Sequence, residues 1–395
     1  MKILFYRYGS ICEPDLIEAF RSLGLEVMEE TAEITDKGLT SAERVRLLQA
    51  SLEEAKPLFV FSINFYPVIA EICHIYKILY LCWTVDSPVP ELFSSALSYD
   101  TNRIFLFDRA QYTRFAPYNP NNIFHLPLYS SVNRFDKVLQ TISPGERQAY
   151  GKDISFIGSL YSEKNPLKEL FPRLPAHTRG YIQALINASL KIYGYHFIED
   201  TLTDELVNTL KNRATDFYTP GEAVANPDKY IAAHSYIGMQ LAETERIQTL
   251  NTLAEYFSVD LYTYSDTSPL RNVNVHGGIA SLTEMPKLFH LSKINLNMTI
   301  RPIQEGLPLR IFDILGCGGF LMTNYQGELN DYFEIGTDLE AYSGLEELVD
   351  KCAYYLEHET LRQKIAQNGY EKVCAAHTCY HRIGRMLASV LPPEP

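Results

Sequence analysis

"PLFVFSINFYPVIAEICHIYKILYLCWTVDSP", residues 57–88, holds the fold in miniature. Residues 57–64 are an apolar run of strand length. Residues 66–77 space their apolar side chains helically behind a proline, and 78–88 form a second apolar run that ends at Asp-Ser-Pro. Two uninterrupted apolar strands joined by a helix make a βαβ unit, and strands of that kind are buried on both faces in a parallel sheet.

The alternation continues in both directions. Upstream, "KILFY" (2–6) reads as a strand, "YGSICEP" (8–14) as a loop and "EPDLIEAFRSLG" (13–24) as a helix stopped by Gly24. "LEVME" (25–29) is the next strand, and 40–56 a further helix. Downstream, "NRIFLFD" (102–108) and "NNIFHLPL" (121–128) are short strands, and the polar stretch 133–150 reads as an interdomain connection. A second α/β unit opens with "DISFIGSLYSEKNP" (153–166), is interrupted by a mostly helical insertion over about 165–235, and resumes with strands at 258–266, 272–278, 293–299 and 319–324. Helices follow at 343–357 and 359–376, and Thr378 caps a last one beginning at Cys379. The expected organisation is a domain over 1–135, a second over 151–379, and a C-terminal helix over 380–395. In open parallel sheets ligands sit beyond the C-terminal strand ends, so the loops that matter include 84–91, 158–164, 276–279 and 299–308.

Bulk properties narrow the function. With 395 residues, 46% hydrophobic and 21% charged, the chain is a folded protein of two domains. Its 35 basic residues against 48 acidic ones leave a net charge of −13, which disfavours nucleic acid and broad docking on anionic lipid. No apolar run approaches the length of a membrane span. Seven cysteines without CxxC spacing argue for a reducing cytoplasm rather than a disulfide framework.

The chemistry concentrates in "RPIQEGLPLRIFDILGCGGFLMTN" (301–324). Pro308 suits the start of a helix over 308–315, and Gly316, Gly318 and Gly319 end it. Its free N–H groups form a place for a diphosphate beside Gly306 and Leu307, and the Arg310 guanidinium adds a bidentate phosphate partner. Glu305 precedes the helix and Asp313 lies inside it; two carboxylates so spaced can each accept a diol, or can be ordinary helix charges. The Gly158-Ser159 turn, with Lys164, can hold phosphate oxygens or be a plain βα loop. In "VHGGIA", Gly277, Gly278 and Ile279 permit close backbone approach. Asp86 is a general base or sugar ligand on one reading and an Asx-type turn before Pro88 on the other. His125 reads as a core residue. The Cys374, His377, Cys379, His381 group has irregular spacing and reads as structural rather than as a metal site.

These strings resemble a known family. "FSINFYPVIAEIC", "YLCWTVDSP" and "IFLFDRAQYTRF" resemble the N-terminal domain of CgeB-like, spore-maturation-type bacterial glycosyltransferases, and the chain from "LNMTIRPIQEG" to "CAAHTCYHR" resembles their group-1 glycosyltransferase domain. The resemblance implies a GT-B fold: two Rossmann-like domains facing across a cleft, the C-terminal one holding a nucleotide-sugar. Residues 305–313 are similar to the E-x7-E motif of retaining group-1 enzymes. This implies Glu305 against the donor sugar and Asp313, one methylene shorter than the usual Glu, against the ribose, with Gly277, Gly278 and Ile279 reading the base. The expectation is a cytoplasmic transferase using a nucleotide-diphosphate donor (UDP-linked first) and retaining configuration. Its acceptor, whether glycan, protein or small molecule, is open. It would need no cofactor: D-x-D is absent, and helix dipole, Arg310 and Lys164 would meet the diphosphate charge. If the reaction inverts, Asp86 is the base. A non-catalytic nucleotide-sugar-binding or spore-coat scaffold, or a sugar-nucleotide epimerase, is the alternative.

Overall fold

The computed structural model describes residues 1–390, so the end of the expected C-terminal helix, 391–395, lies outside the described residues. The chain divides into two compact units, each built on a six-stranded, wholly parallel sheet.

The first unit comprises residues 1–129, 220–226 and the chain from His377 onward. Its strands are β1 (Lys2–Tyr6), β2 (Glu26–Glu30), β3 (Phe59–Ile63), β4 (Leu79–Trp83), β5 (Asn102–Leu106) and β6 (Ile123–His125), in the order β2-β1-β3-β4-β5-β6. All five residues of β3 are buried, as its apolar run requires, and the rings of Phe5, Phe20 and Phe61 pack within 5.0–6.3 Å of one another. Each such ring contributes about 1.5–3 kcal/mol by leaving water. The quoted βαβ segment forms as expected: Pro67 opens the helix Pro67–Tyr76, and Lys77 closes it in the left-handed conformation. The Trp83 indole donates to Leu126 O at 3.1 Å and ties β4 to the chain beyond β6. The last helix, Cys379–Val390, packs on the helix Glu13–Ser22; its fully buried Arg382 donates to Leu128 O and meets His377 Nδ1. Thr378 accepts from His381 N and so caps that helix.

The second unit comprises 130–219 and 227–376. Its strands are β7 (Ile154–Ile157), β8 (Val259–Tyr262), β9 (Asn274–Val275), β10 (Ile294–Asn297), β11 (Leu321–Asn324) and β12 (Glu340–Tyr342), ordered β12-β11-β10-β7-β8-β9. From β7 the chain adds β8 and β9 on one side, then returns to add β10, β11 and β12 on the other. The point of reversal lies between β7 and β10, where a doubly wound sheet opens a crevice at its C-terminal edge.

Four details differ from the sequence expectation. The stretch 133–150 is not a simple connection: it contains two helices, Val132–Leu139, which buries Phe135, and Pro144–Tyr150, opened by a Ser143/Glu146 capping box. Residues 165–235 are helical as expected, but the last helix runs on to Ala254 through a π-helical segment, Ile231–Ile237. Within that stretch, 220–226 belong to the first unit, where Ser95 N donates to Glu222 O and Val224 N to Phe93 O. In the key helix, Pro308 is the extended cap, the helix spans Leu309–Gly316, and the stop is Gly318 at φ +67°. Gly316 and Gly319 serve close packing instead. A Cβ on Gly316 would lie 1.9 Å from Ser130 Oγ, and one on Gly319 2.5 Å from Phe289 O.

Among the described residues no helix is long and apolar enough to cross a membrane. All seven cysteines are free thiols, six of them buried.

Candidate functional site

The loops after β7 and β8 and the segment after β9 enclose a cavity of about 290 Å³ at the C-terminal edge of the second sheet. Gly158, Ser159, Lys164, Gly278 and Ile279, singled out separately in sequence, all line it. Gly277 sits at its margin at φ +69°, its carbonyl accepting from Thr263 N at 2.7 Å.

Local hydrogen bonds shape this wall. Gly158 N continues the ladder to Tyr262 O, and a Cβ there would come 3.2 Å from the Phe156 ring. Ser159 Oγ accepts from Tyr161 N at 2.7 Å and donates to Glu163 Oε1 at 2.5 Å. Ser265 Oγ accepts from Leu160 N at 2.8 Å, binding the loop after β8 to the loop after β7. Burial pushes the Glu163 carboxyl up, but hydrogen bonds from Ser159, its own backbone N–H, Ser265 and Ser162 outweigh burial and hold it below the usual carboxylate range. A charged carboxylate therefore already sits against the Gly-Ser turn. The Tyr264 side chain is 91% exposed and lies across Gly278, where a Cβ would meet its Cζ at 1.8 Å. Glycine at 278 is what lets the hydroxyl end of that ring approach the backbone at the cavity wall.

One turn of the helix Gly238–Ala254 holds the two strand ends at the point of reversal. Arg246 donates through Nη1 to Ser159 O and through Nη2 to Met298 O at 2.7 Å, with Tyr161 and Phe156 rings at 4.6 and 5.2 Å from its guanidinium. Its neighbour Glu245 receives Arg301 in a bidentate pair, Nη2 to Oε1 at 2.7 Å and Nε to Oε2 at 3.2 Å. Arg301 also donates to Ile192 O and lies over the Tyr193 ring. Burial lowers the Arg301 pKa, but its attraction to Glu245 prevails and the net shift is upward. Pro302 rests on Gly238 so closely that a Cβ there would lie 2.8 Å from its Cγ. None of these residues was singled out in sequence; the three charges in "LAETERIQTL", Glu243, Glu245 and Arg246, read locally as an ordinary polar helix face, although all three are buried.

The loop after β10 starts rigidly, with Thr299 N and O bonded to the Asn324 side chain at 2.8 Å each. Glu305 follows, half-buried, its carbonyl accepting from Glu328 N and its side chain close over Gly327. Leu307 is buried, so that residue offers a ligand its backbone rather than its side chain. On the helix Leu309–Gly316, Ile311, Phe312, Ile314 and Leu315 face the core while Arg310 and Asp313 share the other face, 3.6 Å apart. Arg310 lies over Phe289, with Nη1 2.6 Å from Met285 Sδ. The structure thus brings Glu305 to the loop at the switch point and pairs Arg310 with Asp313.

Asp86 belongs to the first unit, exposed after β4, where Asn64 Nδ2 donates to its Oδ2 at 2.7 Å. His125, at the end of β6, is half-buried with Nε2 3.3 Å from Phe107 O. In the Cys374–His381 group, His377 meets Arg382, Cys379 lies on Asp15 O and Cys374 is partly exposed, so these side chains serve separate structural contacts.

Residues 241–388 match the family model described as "Glycosyl transferase-like". No curated protein matches the sequence. Among solved structures, Anabaena Alr3699/HepE in complex with UDP aligns over 99% of this chain and all of its own at 14% identity, with a TM-score of 0.55. HepE was also solved with UDP-glucose. Sucrose-phosphate synthase from Thermosynechococcus elongatus aligns over 98% of both chains at 9% identity and a TM-score of 0.57. WaaG, a glycosyltransferase involved in lipopolysaccharide biosynthesis, covers 99% of this chain and 100% of its own at 10% identity and 0.52. The fold is that of the GT-B glycosyltransferases.

Proposed function

We propose that the chain is a CgeB-like glycosyltransferase that moves a sugar from a nucleotide-diphosphate donor, UDP-linked, to an acceptor hydroxyl with retention of configuration. The observation that supports it most is the gathering of Gly158, Ser159, Lys164, Gly278 and Ile279 around one cavity over the ends of β7 and β8, with Glu305 on the loop after β10, the strand on the other side of β7 across the switch point. The UDP and UDP-glucose complexes of HepE support the donor class.

On this reading the backbone at Gly277–Ile279 and the Tyr264 face meet the base. Lys164, the Gly158-Ser159 turn and the start of the helix Leu309–Gly316 meet the diphosphate, so no divalent cation is required. Glu305 lies against the sugar, where its charge favours the positive character that develops as the bond to the leaving phosphate lengthens. Asp313 takes the ribose hydroxyls after exchanging them for Arg310, which turns to phosphate. If the reaction inverts, Asp86 removes the acceptor proton. The seven free thiols fit a cytoplasmic enzyme.

Isothermal titration with UDP, GDP and dTDP, joined to a donor-hydrolysis assay, tests the reading. UDP is expected to bind best, and Glu305→Gln to lower turnover by more than about tenfold at nearly unchanged UDP affinity. Full turnover in that variant refutes the assignment of Glu305. Binding without hydrolysis or transfer would favour the nucleotide-sugar-binding scaffold, which the Arg310–Asp313 contact and the Glu163 carboxylate already permit.

A further inference from the structure

The first sheet also has a point of reversal, between β1 and β3, and its C-terminal edge is crowded with aromatic and hydrogen-bonding side chains. Tyr6 ends β1, Tyr8 follows it, and Tyr66 follows β3. The Tyr66 ring lies 5.6 Å from that of Tyr6 and 6.0 Å from that of Tyr8. Tyr8 and Tyr66 are partly exposed, and Tyr6 is anchored by donating to Glu33 at 2.5 Å.

The loop that carries Tyr66 is rigid. Asn64 adopts φ +61° and donates its N–H to Trp83 O; its carbonyl accepts from Ser62 Oγ at 2.8 Å. Tyr80 OH accepts from Tyr66 N at 3.0 Å. The Asn64 side chain accepts from Val85 N and donates to Asp86, which fixes an exposed carboxylate beside the rings. Glu33 and Glu91 also lie within electrostatic reach of Tyr66 and Asp86 within reach of Tyr8; the cations nearby are Arg44, within reach of Tyr6, and Lys37, whose Nζ donates to Tyr8 O at 2.5 Å.

A second observation bears on charge. Three successive N–H groups after β1, those of Tyr8, Gly9 and Ser10, converge on one point at 2.9–3.0 Å, the arrangement that would hold a phosphate oxygen. That point is already occupied by Oε1 of the fully buried Glu13, whose Oε2 takes Arg7 at 2.9 Å. The anion-holding donors of this strand end are satisfied from within the chain, and the carboxylates around the rings repel a further negative charge.

We infer that Tyr8 and Tyr66, backed by the buried Tyr6, form with Asn64 and Asp86 a carbohydrate-binding site for an uncharged sugar, the acceptor in the reaction proposed above. Tyrosine faces cover the apolar C–H face of a pyranose, and amide and carboxylate groups take its hydroxyls. The surplus of carboxylates (Glu30, Glu33, Asp86 and Glu91) over the cations Lys37 and Arg44 favours neutral over phosphorylated or otherwise anionic acceptors. The inference rests on the transferase reading for the word acceptor, but not for the site itself.

Saturation-transfer difference NMR on the whole protein tests it, with maltose, cellobiose and N-acetylglucosamine as neutral probes and glucose 6-phosphate as the anionic one. At least one neutral sugar is expected to receive saturation from aromatic protons, and glucose 6-phosphate none. Tyr8→Ala should weaken the sugar by about five- to tenfold, while Tyr8→Phe, which keeps the ring, should hold it within about twofold. Circular dichroism and UDP titration on each variant show that the fold and the second unit are intact. Equal or tighter binding of glucose 6-phosphate, or no neutral binding at all, overturns the inference; so does undiminished sugar binding in Tyr8→Ala. A wild-type protein that binds neutral sugar at these residues but not UDP refutes the donor reading and upholds the carbohydrate site.

Discussion

Replacing Arg246 by Met separates stabilising a fold from shaping a site. The guanidinium makes two charge-assisted hydrogen bonds to carbonyls, each worth about 1.5–3 kcal/mol. Against this stands the cost of burying a cation whose hydrogen-bond acceptors are carbonyls rather than a carboxylate, several kcal/mol; burial correspondingly pulls its pKa down. The two nearly cancel, and Met refills most of the volume between Phe156 and Tyr161. The expected loss of stability is therefore only about 0–2 kcal/mol, a fall in Tm of no more than ~8 °C for a unit of this size. UDP affinity should suffer more, because Ser159 O and Met298 O lose the guanidinium that bridges the loops after β7 and β10. A drop of tenfold or more is expected, roughly 1.4 kcal/mol or above. Calorimetric titration with UDP and thermal denaturation measure the two effects. Hydrogen exchange should show faster opening at 158–164 and 298–303. A variant that binds UDP normally yet melts more than ~15 °C lower would refute this reasoning, since Arg246 would then be a structural residue only.

Three other outcomes are expected. Glu163→Gln removes the anion beside the Gly-Ser turn and should tighten UDP binding by about two- to tenfold, read by titration at low salt; weaker binding would mean that the carboxylate is a ligand. Glu146, which accepts from Lys287 at 2.6 Å and caps the helix Pro144–Tyr150, has its pKa lowered to about 2, by the Lys287 hydrogen bond first and the Ser143 bonds next. A folded-state value below the unfolded one stabilises above about pH 4.5 and is lost as pH falls toward 2. The Tm gap between wild type and Glu146→Gln should accordingly be widest near neutrality and close between pH 4.5 and 2. Gly319→Ala forces a Cβ to within 2.5 Å of a backbone carbonyl, which cannot swing aside, and should cost about 3 kcal/mol in chemical denaturation.

The α/β alternation was plain in the sequence because strands covered on both faces become bare apolar runs, as in Phe59–Ile63. The same rule hid β12. It opens with Glu340, a residue that reads as solvent-facing but is buried against Tyr355 OH and Lys351. Residues 133–150 looked like a connection from polarity alone, although "SPGE" spells a helix start with a capping serine and an answering glutamate. At the site, glycines were legible because a turn or a close approach needs them. Arg246 was not, because its partners are backbone carbonyls 87 and 52 residues away, which leave no trace in local pattern. The self-occupied donors after β1 were invisible for a similar reason: Glu13 reads as an ordinary acid in a helix's first turn.

The placement of the last helix bears on how the chain is made. Residues 1–129 build most of the first unit, but Cys379–Val390 packs onto it, and about 250 residues lie between Tyr129 and that helix. At roughly 5–20 residues per second, synthesis leaves the unit waiting on the order of 10 to 50 s for its final piece. During that interval Asp15 O and Leu128 O lack the Cys379 thiol and the Arg382 guanidinium that later meet them. Of the two units, the one whose synthesis starts earlier is therefore the one that matures later, and truncating the chain before Cys379 would damage the unit built on residues 1–129.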